Sequence, residues 1–102
     1  MQKDWFVSTL LDVYGGFLAP KQQSLLNDYY NEDFSLSEIA ENEGITRQGV
    51  CDSVKRGETQ LRRLEEQYHY AEKFSRMKEL VSLAKSGDGA AREELFSLIE
   101  SL

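Results

Sequence analysis

Several side chains between positions 47 and 55 have the chemistry and the spacing of a surface that reads DNA bases. A glutamine amide can pair with adenine, and a lysine or arginine can pair with guanine. An aspartate can accept from the cytosine amino group, or it can repel phosphate. At about 100° per residue, positions 48, 51, 52 and 55 fall on one side of an α-helix. The residues predicted to face the major groove are Arg47, Gln48, Cys51, Asp52 and Lys55.

The same segment predicts phosphate contacts and a buried side. Hydroxyl and cationic side chains at the margin of the polar side suit phosphate oxygens, so Thr46, Ser53 and Arg56 are expected near phosphates. Arg62 and Arg63, further along, are interpreted as solvated charges. The opposite side of the helix is apolar or small and is predicted to pack inward. Its residues are Val50, Val54, Gly57, Leu61 and Leu64.

The residue types that build catalytic and metal centres are scarce. Cys51 is the only cysteine and His69 the only histidine, which excludes an intramolecular disulfide, a cysteine-based zinc site and paired-histidine motifs. The glutamate pairs at 65–66 and 93–94 point to different helix faces, a poor arrangement for acid–base catalysis. Segment 87–89 lacks the third glycine and the preceding strand of a phosphate loop. We therefore predict no enzyme activity, no metal and no cofactor.

The elements that would position the polar residues follow the spacing of a helix-turn-helix. Ala40 is small enough for two crossing helices to approach closely, and Gly44 can adopt the left-handed conformation that ends the first helix. Val50 is expected to anchor the second helix inward, and Ile45 to plug the turn. The DNA-binding form of this motif places the second helix in the major groove. On spacing alone, a helical bundle that does not bind DNA explains the pattern equally well.

Helix boundaries are indicated by capping residues. Ser35 and Glu38 have the spacing of a capping box, so the first motif helix is predicted to begin at Ser35. Thr46 is predicted to cap the second motif helix. Pro20 suits the first turn of an earlier helix. A further helix is expected before it, with an apolar stripe of Phe6, Leu10, Val13, Tyr14 and Phe17.

The whole chain is predicted to be all-α. Apolar residues recur at three- and four-residue spacing, and no segment alternates as a strand does. The helix capped by Thr46 is predicted to be long, continuing through Ala71 with a bend near Gly57 or Ser75. We assign residues 1–74 to a helix-turn-helix domain and 75–102 to a C-terminal helical extension. That extension is either part of the same domain or a dimerisation element.

The net charge of the whole chain argues against nucleic-acid binding, but the charges of its separate segments do not. The 102 residues carry a formal net charge of -6, and phosphates repel an acidic surface. Residues 1–46 hold two basic and eight acidic residues, whereas residues 47–63 hold five basic and two acidic. Residues 64–102 hold five basic and eight acidic. The positive stretch therefore coincides with the predicted reading helix, and a salt-sensitive binder is expected.

Two further predictions concern assembly and location. Leu61, Leu64, Tyr68 and Ala71 alternate three and four apart, like a short coiled-coil seam, which favours a homodimer. The alternative is that this stripe folds back onto the helix at residues 6–17. Polar residues interrupt every apolar run well before eighteen residues, so no membrane insertion is expected and a cytoplasmic location is predicted.

Residues 10–74 resemble the YlxM family, small bacterial helix-turn-helix proteins whose genes lie beside those of the signal recognition particle. The broader pattern is similar to the C-terminal helix-turn-helix of sigma factors, known as region 4. The tyrosine pair and the Arg47-Gln48-x-Val50 run make the YlxM family the nearer likeness. The segments that carry the resemblance are Leu18-Ala19-Pro20-Lys21-Gln22-Gln23, Tyr29-Tyr30, 34–40, 44–50 and 52–56.

From the polar face of the second motif helix we predict a DNA-binding regulatory protein, active in transcription regulation, with double-stranded DNA as its partner. The resemblance to the YlxM family implies a regulatory part in the signal recognition particle pathway and no established biochemical activity. The alternative is an adaptor that uses the same fold without DNA and docks to the RNA or protein of that particle. The acidic first helices and Asp52 favour the adaptor slightly.

Overall fold

The protein is described by a computed structural model, which covers residues 2–102. These residues divide into two compact units, one ending at Tyr68 and the other spanning His69–Leu102. All regular structure in the described range is helical, so the predicted all-α class is confirmed. The helices of the first unit are α1 (Phe6–Tyr14), a 3₁₀ turn (Gly15–Phe17), α2 (Pro20–Tyr30), α3 (Leu36–Glu43) and α4 (Arg47–Tyr68); those of the second are α5 (Tyr70–Lys85) and α6 (Gly89–Glu100).

The first unit is built around α4, against which α1, α2 and α3 each pack. The inward side of α4 follows the predicted spacing, because Val50, Val54 and Leu61 are fully buried. Leu26 of α2 and Ile39 of α3 are buried with no exposed surface as well. Three helices from the acidic part of the chain thus hold one side of the basic helix.

The apolar stripe predicted for α1 is displaced. Val7 and Leu11 are buried together with Leu10 and Tyr14 of the predicted set. Phe6 is instead 44% exposed, and Phe17, in the 3₁₀ turn, is 70% exposed. The prediction was wrong at these two positions. Phe17 does not share the stripe of α1 because the backbone leaves the α-helix after Tyr14, and Phe6, the first residue of α1, lies beside the buried stripe of Val7, Leu10, Leu11 and Tyr14.

Close contacts hold α4 in place. A Cβ at Gly57 would collide with the Leu26 side chain of α2, so these two helices approach at a point that only glycine permits. Beyond this approach, towards the C-terminus of α4, two tyrosines donate short hydrogen bonds to glutamates of the helix. Tyr30 Oη lies 2.6 Å from Glu58 Oε1, and Tyr14 Oη lies 2.6 Å from Glu65 Oε1.

Residue 69 divides the chain because its backbone cannot continue the helix. α4 ends at Tyr68, since His69 has a left-handed φ of 58°. The prediction of a helix continuing through Ala71, bent near Gly57 or Ser75, was therefore wrong. Leu61 is completely buried in a unit where α1 packs on α4, the arrangement expected from a fold-back. The predicted domain boundary after residue 74 lies inside α5, and that assignment stays a prediction.

The second unit is a hairpin of two helices with a small core. Leu80, Ala91 and Leu95 are buried, and Met77 and Leu98 pack against them. The turn ends at Asp88, whose carboxylate accepts from the Ala91 amide at 3.0 Å and caps α6. Arg76 of α5 donates two hydrogen bonds of 3.0 Å to the Glu94 carboxylate of α6, which links the two helices at their surface.

Candidate nucleic-acid interface

The turn between α3 and α4 fixes where the polar face begins. At the start of α3, Ser35 Oγ accepts from the Glu38 amide at 3.0 Å, and the Glu38 carboxylate accepts from the Ser35 amide, completing the capping box. Gly44 ends α3 with a left-handed φ of 67°. Thr46 Oγ1 then accepts from the Gly49 amide at 3.0 Å and caps α4. Local hydrogen bonds thereby define the first turn of α4, and the burial of Val50 anchors it inward.

The motif residues and the polar residues occupy opposite sides of this arrangement. Ala40 is 7% exposed and Val50 is fully buried, so both lie in the core. The outer side of α4 is open to solvent over its first three turns. The exposed members of the predicted reading set are Arg47, Gln48, Asp52, Lys55 and Arg56, with Thr46 exposed at the cap and Ser53 half-buried beside them.

Cys51 was wrongly predicted to face the major groove. Its side chain is buried, with only 8% of its surface exposed. The position lies only about 60° around the helix from buried Val54, whereas Lys55 and Asp52 lie about 100° and 160° away. Since α3 packs against α4, the covered side is wide enough to include Cys51. The thiol therefore belongs to the core and not to a base-reading surface.

Ile45 does not plug the turn as predicted, because 38% of its surface is exposed. The side chain lies at the mouth of a groove between α2 and α4, with Leu25 of α2 among the lining residues. Ser53 lines the same groove, and its backbone carbonyl accepts from Gln22 Nε2 at 3.1 Å. An apolar residue thus sits beside the polar face at its N-terminal end.

Asp52 has a partner on its own helix. Gln48 Nε2 donates to Asp52 Oδ1 at 2.8 Å, one helical turn away. An amide has two N–H donors and one carbonyl acceptor, so this bond leaves Gln48 one donor and its oxygen for an adenine edge. Asp52 can therefore orient the glutamine, a role that its charge alone did not indicate.

The cations of the outer face differ from Lys3, Arg62 and Arg76, each of which forms an ion pair. Lys3 bonds to Asp33 at 2.9 Å, and Arg62 bonds to Asp4 at the same distance. The Arg62 guanidinium and the Phe6 amide lower the pKa of Asp4, consistent with a formed ion pair. In contrast, no cation on the outer face of α4 forms an ion pair within the described range. These unpaired residues are Arg47, Lys55, Arg56 and Arg63.

Arg62 and Arg63 were both interpreted from the sequence as solvated charges, but Arg62 pairs with Asp4, and only Arg63 joins the outer-face cations. It lines a shallow groove of about 490 Å³ together with Lys55 and Arg56 on the outer side of α4. Positions 56 and 63 are seven residues apart, which puts them on the same side of a helix. From this spacing, the sequence could have predicted that the polar face of α4 continues for two further turns, to Arg63.

Helices α3 and α4, joined by the left-handed turn at Gly44, form a helix-turn-helix. The outer side of its second helix carries cations without ion pairs. The comparisons with known proteins agree. The chain belongs to the UPF0122 family, whose model matches residues 1–99 and is described as "Putative helix-turn-helix protein, YlxM / p13 like". The predicted resemblance to the YlxM family is confirmed.

Several bacterial relatives are similar over most or all of the chain. The UPF0122 protein of Bacillus pumilus is 39% identical, covering 100% of this chain and 94% of the relative. The UPF0122 protein YlxM of Bacillus subtilis is 38% identical over the same shares. The UPF0122 protein of Acetivibrio thermocellus is 45% identical over 76% of this chain and 67% of its own length. Within residues 2–102, no helix combines the length and apolar character needed to cross a bilayer.

Proposed function

We propose that this protein is a DNA-binding regulator that reads the major groove with the outer face of α4. The observation that carries the proposal is the exposed, unpaired state of Arg47 and Lys55 on the helix that follows the Gly44 turn. Unpaired cations are available to phosphates and to guanine edges without first breaking an internal ion pair. The buried opposite side, which packs on three helices, gives this face a rigid support.

Base reading is assigned to the N-terminal turns of α4. Gln48, oriented by Asp52, has the donor and acceptor to pair with adenine, and Arg47 and Lys55 have the donors to pair with guanine. Arg56 and the hydroxyl groups of Thr46 and Ser53 are assigned to phosphates. Cys51 is no longer part of the reading set, since its side chain is buried.

The acidic remainder of the chain sets the strength of binding. With eight acidic residues in positions 1–46, non-specific attraction to DNA is weakened, and affinity depends on the few cations of α4. We expect measurable binding only at low salt on random sequence, with tighter binding on a preferred site.

The direct test is selection from a pool of random duplexes, followed by titration of the enriched site. Arg47→Glu combined with Lys55→Glu is expected to abolish enrichment. Lys78→Glu combined with Lys85→Glu is the matched control, since it reverses two exposed charges on α5 of the other unit. Retained enrichment in the first variant, or equal losses in both, would contradict the assignment of the reading face.

We also propose that the protein acts as a homodimer. The core cluster of the α5–α6 hairpin contains three buried side chains, a small core for 34 residues, and Phe74, Phe96 and Ile99 are 39%, 47% and 49% exposed. A dimer would cover such a surface and present two reading helices to two half-sites about one DNA turn apart. Sedimentation equilibrium tests it, and a strict monomer at micromolar concentration would overturn it.

The second candidate function is an adaptor of the signal recognition particle, and the acidity of residues 1–46 favours it. The deep, narrow major groove of A-form RNA does not admit a helix such as α4, so an adaptor would bind RNA through phosphates or bind the protein component. Parallel titration against duplex DNA, the particle RNA and the particle protein separates the two functions. Binding confined to the particle would replace the DNA proposal.

A further inference from the structure

The first turn of α2 brings another cation beside the outer face of α4. A groove of about 390 Å³ lies between these elements, with Lys21 on the α2 side and Arg56 on the α4 side. Lys21 is exposed and, within residues 2–102, forms no ion pair. The helix-turn-helix motif, which begins at Ser35, does not include this residue.

Two amide side chains hold this part of the chain against α4. Gln22 Nε2 donates to the Ser53 carbonyl at 3.1 Å, and Gln60 Nε2 donates to the Phe17 carbonyl at 3.3 Å. The segment that leads into α2 is therefore bound to α4 at two points, about two helical turns apart. Lys21 is placed by these bonds and by the packing of α2, so it has a defined position relative to Arg56.

Arg56 also lines the second groove, the one on the outer side of α4 that contains Lys55 and Arg63. The two grooves meet at this residue. Arg56 therefore links the groove that contains Lys21 to the groove that contains Lys55 and Arg63. Residues 56 to 63 span about 10 Å of helix at 1.5 Å per residue, a distance that covers several phosphates of one nucleic-acid strand.

We infer that Lys21, Arg56 and Arg63 form a binding track for the phosphodiester backbone of a nucleic acid. The inference rests on the proposed function and deepens it, because it adds α2 and the C-terminal half of α4 to the contact surface. Arginine can hold a phosphate through two parallel N–H donors, and lysine acts as a point charge. Such contacts fix the register of α4 in the groove and carry no sequence preference of their own.

The experiment measures the affinity of the full chain for two probes over a series of salt concentrations. The probes are a random-sequence DNA duplex and an RNA hairpin of equal length, each labelled for fluorescence anisotropy. The variants are Lys21→Gln and Arg63→Gln, with Lys21→Arg retaining the charge. Lys78→Gln is the matched control, because it removes an exposed, unpaired cation from α5.

Each track variant is expected to weaken binding several-fold and to reduce the slope of log affinity against log salt by about 0.9 on duplex DNA. Lys21→Arg and Lys78→Gln should match the unaltered protein. Loss of affinity on the DNA arm, the RNA arm or both supports the track and identifies which nucleic acid occupies it. Unfolding followed through Trp5, the one tryptophan of the chain, verifies that each variant folds.

Two results would overturn the inference. One leaves the proposed function intact, and the other contradicts it as well. If the unaltered protein binds but Lys21→Gln and Arg63→Gln behave like Lys78→Gln, the track is wrong and the reading face of α4 stands. If the unaltered protein binds neither probe at low salt, the proposed function and the track fail together.

Discussion

Two helix–turn–helix pairs in this chain, α3–α4 and α5–α6, are built by the same backbone devices. Gly44 and Gly87 end the first helix of each pair with left-handed φ values of 67° and 98°. Thr46 and Asp88 then cap the second helix by accepting from an amide three residues later. Turn geometry is thus common to both pairs, and it does not by itself distinguish a helix that reads DNA.

The pairs differ in the charge of their outer surfaces. On α4, Arg47, Lys55 and Arg56 have no ionic partner among the residues described. In the α5–α6 pair, Arg76 binds Glu79 and Glu94, and these bonds raise its pKa. The α5–α6 pair also has exposed lysines without an ion pair, such as Lys78, but residues 64–102 hold eight acidic residues against five basic ones, whereas residues 47–63 hold two against five. The turn therefore predicts two adjoining helices, and the balance of charge around the second helix indicates what it can bind.

The two pairs also differ in how many helices pack against the second helix. α4 is held by α1 and α2 in addition to its own partner α3, while α6 packs against α5. A binding surface needs a rigid base, because displacements of a fraction of an ångström weaken hydrogen bonds to a ligand. Substitutions in the supports of α4 should therefore affect both stability and binding, whereas equivalent changes in α6 should leave binding unchanged.

Gly57→Ala is expected to have the largest effect. The added Cβ would collide with Leu26 of α2, and overpacking of this kind costs about 1–3 kcal/mol. Urea titration followed by far-UV circular dichroism, which reports on the helices of both units, measures the loss, and DNA binding should weaken with it. Gly89→Ala is the control in the other pair, because its Cβ would have open space. Equal stability of the two variants would show that α2 and α4 can separate without cost.

Gly44→Ala and Gly87→Ala should have the next largest effects, and each should lower the free energy of unfolding by the same amount. Each places a Cβ at a left-handed φ, which destabilises the folded state by about 1–2 kcal/mol. Only Gly44→Ala is expected to reduce DNA affinity beyond what the loss of folded protein explains, since Gly44 positions the first turn of α4. Circular dichroism and anisotropy titrations on the same samples check this. A binding defect in both variants would remove the distinction between the two turns.

Much of the fold follows from local patterns in the sequence. Ser35, Gly44 and Thr46 act within a few residues of their own positions, so spacing alone predicts the caps and the turn. The inward side of α4 follows from helical periodicity for the same reason. These features need no knowledge of the other helices.

The errors occur where tertiary packing decides the outcome. Cys51 is buried because α3 widens the covered side of α4, and periodicity does not give the width of a contact. His69 ends α4 through a backbone conformation that histidine seldom adopts, so its type did not indicate a break. Lys21 and Gln22 meet α4 from more than 30 positions away, and a local pattern cannot predict such a contact.

Tyr30→Phe is expected to cost about 1 kcal/mol at neutral pH, because the hydrogen bond to Glu58 is lost. Burial, followed by the adjacent Glu58 carboxylate, raises the pKa of Tyr30 above the ordinary tyrosine range. The unfolded tyrosine releases its proton first, so this contribution is complete below pH 10 and is lost as the pH rises further. Urea titrations at pH 8 and pH 11 should show a smaller alkaline loss in the variant. An identical loss in both proteins would contradict a raised pKa.

Asp28→Asn tests the acidic segment that packs against α4, and its effect on stability should be the smallest. Burial, then the Glu43 and Glu32 carboxylates, raises the pKa of Asp28, so its charged form is disfavoured in the folded state. At pH 7 the amide should stabilise the protein by a few tenths of a kcal/mol. The gain should shrink as the pH falls through the raised pKa, because the carboxyl is then neutral. Asp12→Asn, at an exposed position of α1, is the control. A gain that persists at pH 3 would mean that packing, and not charge, is responsible.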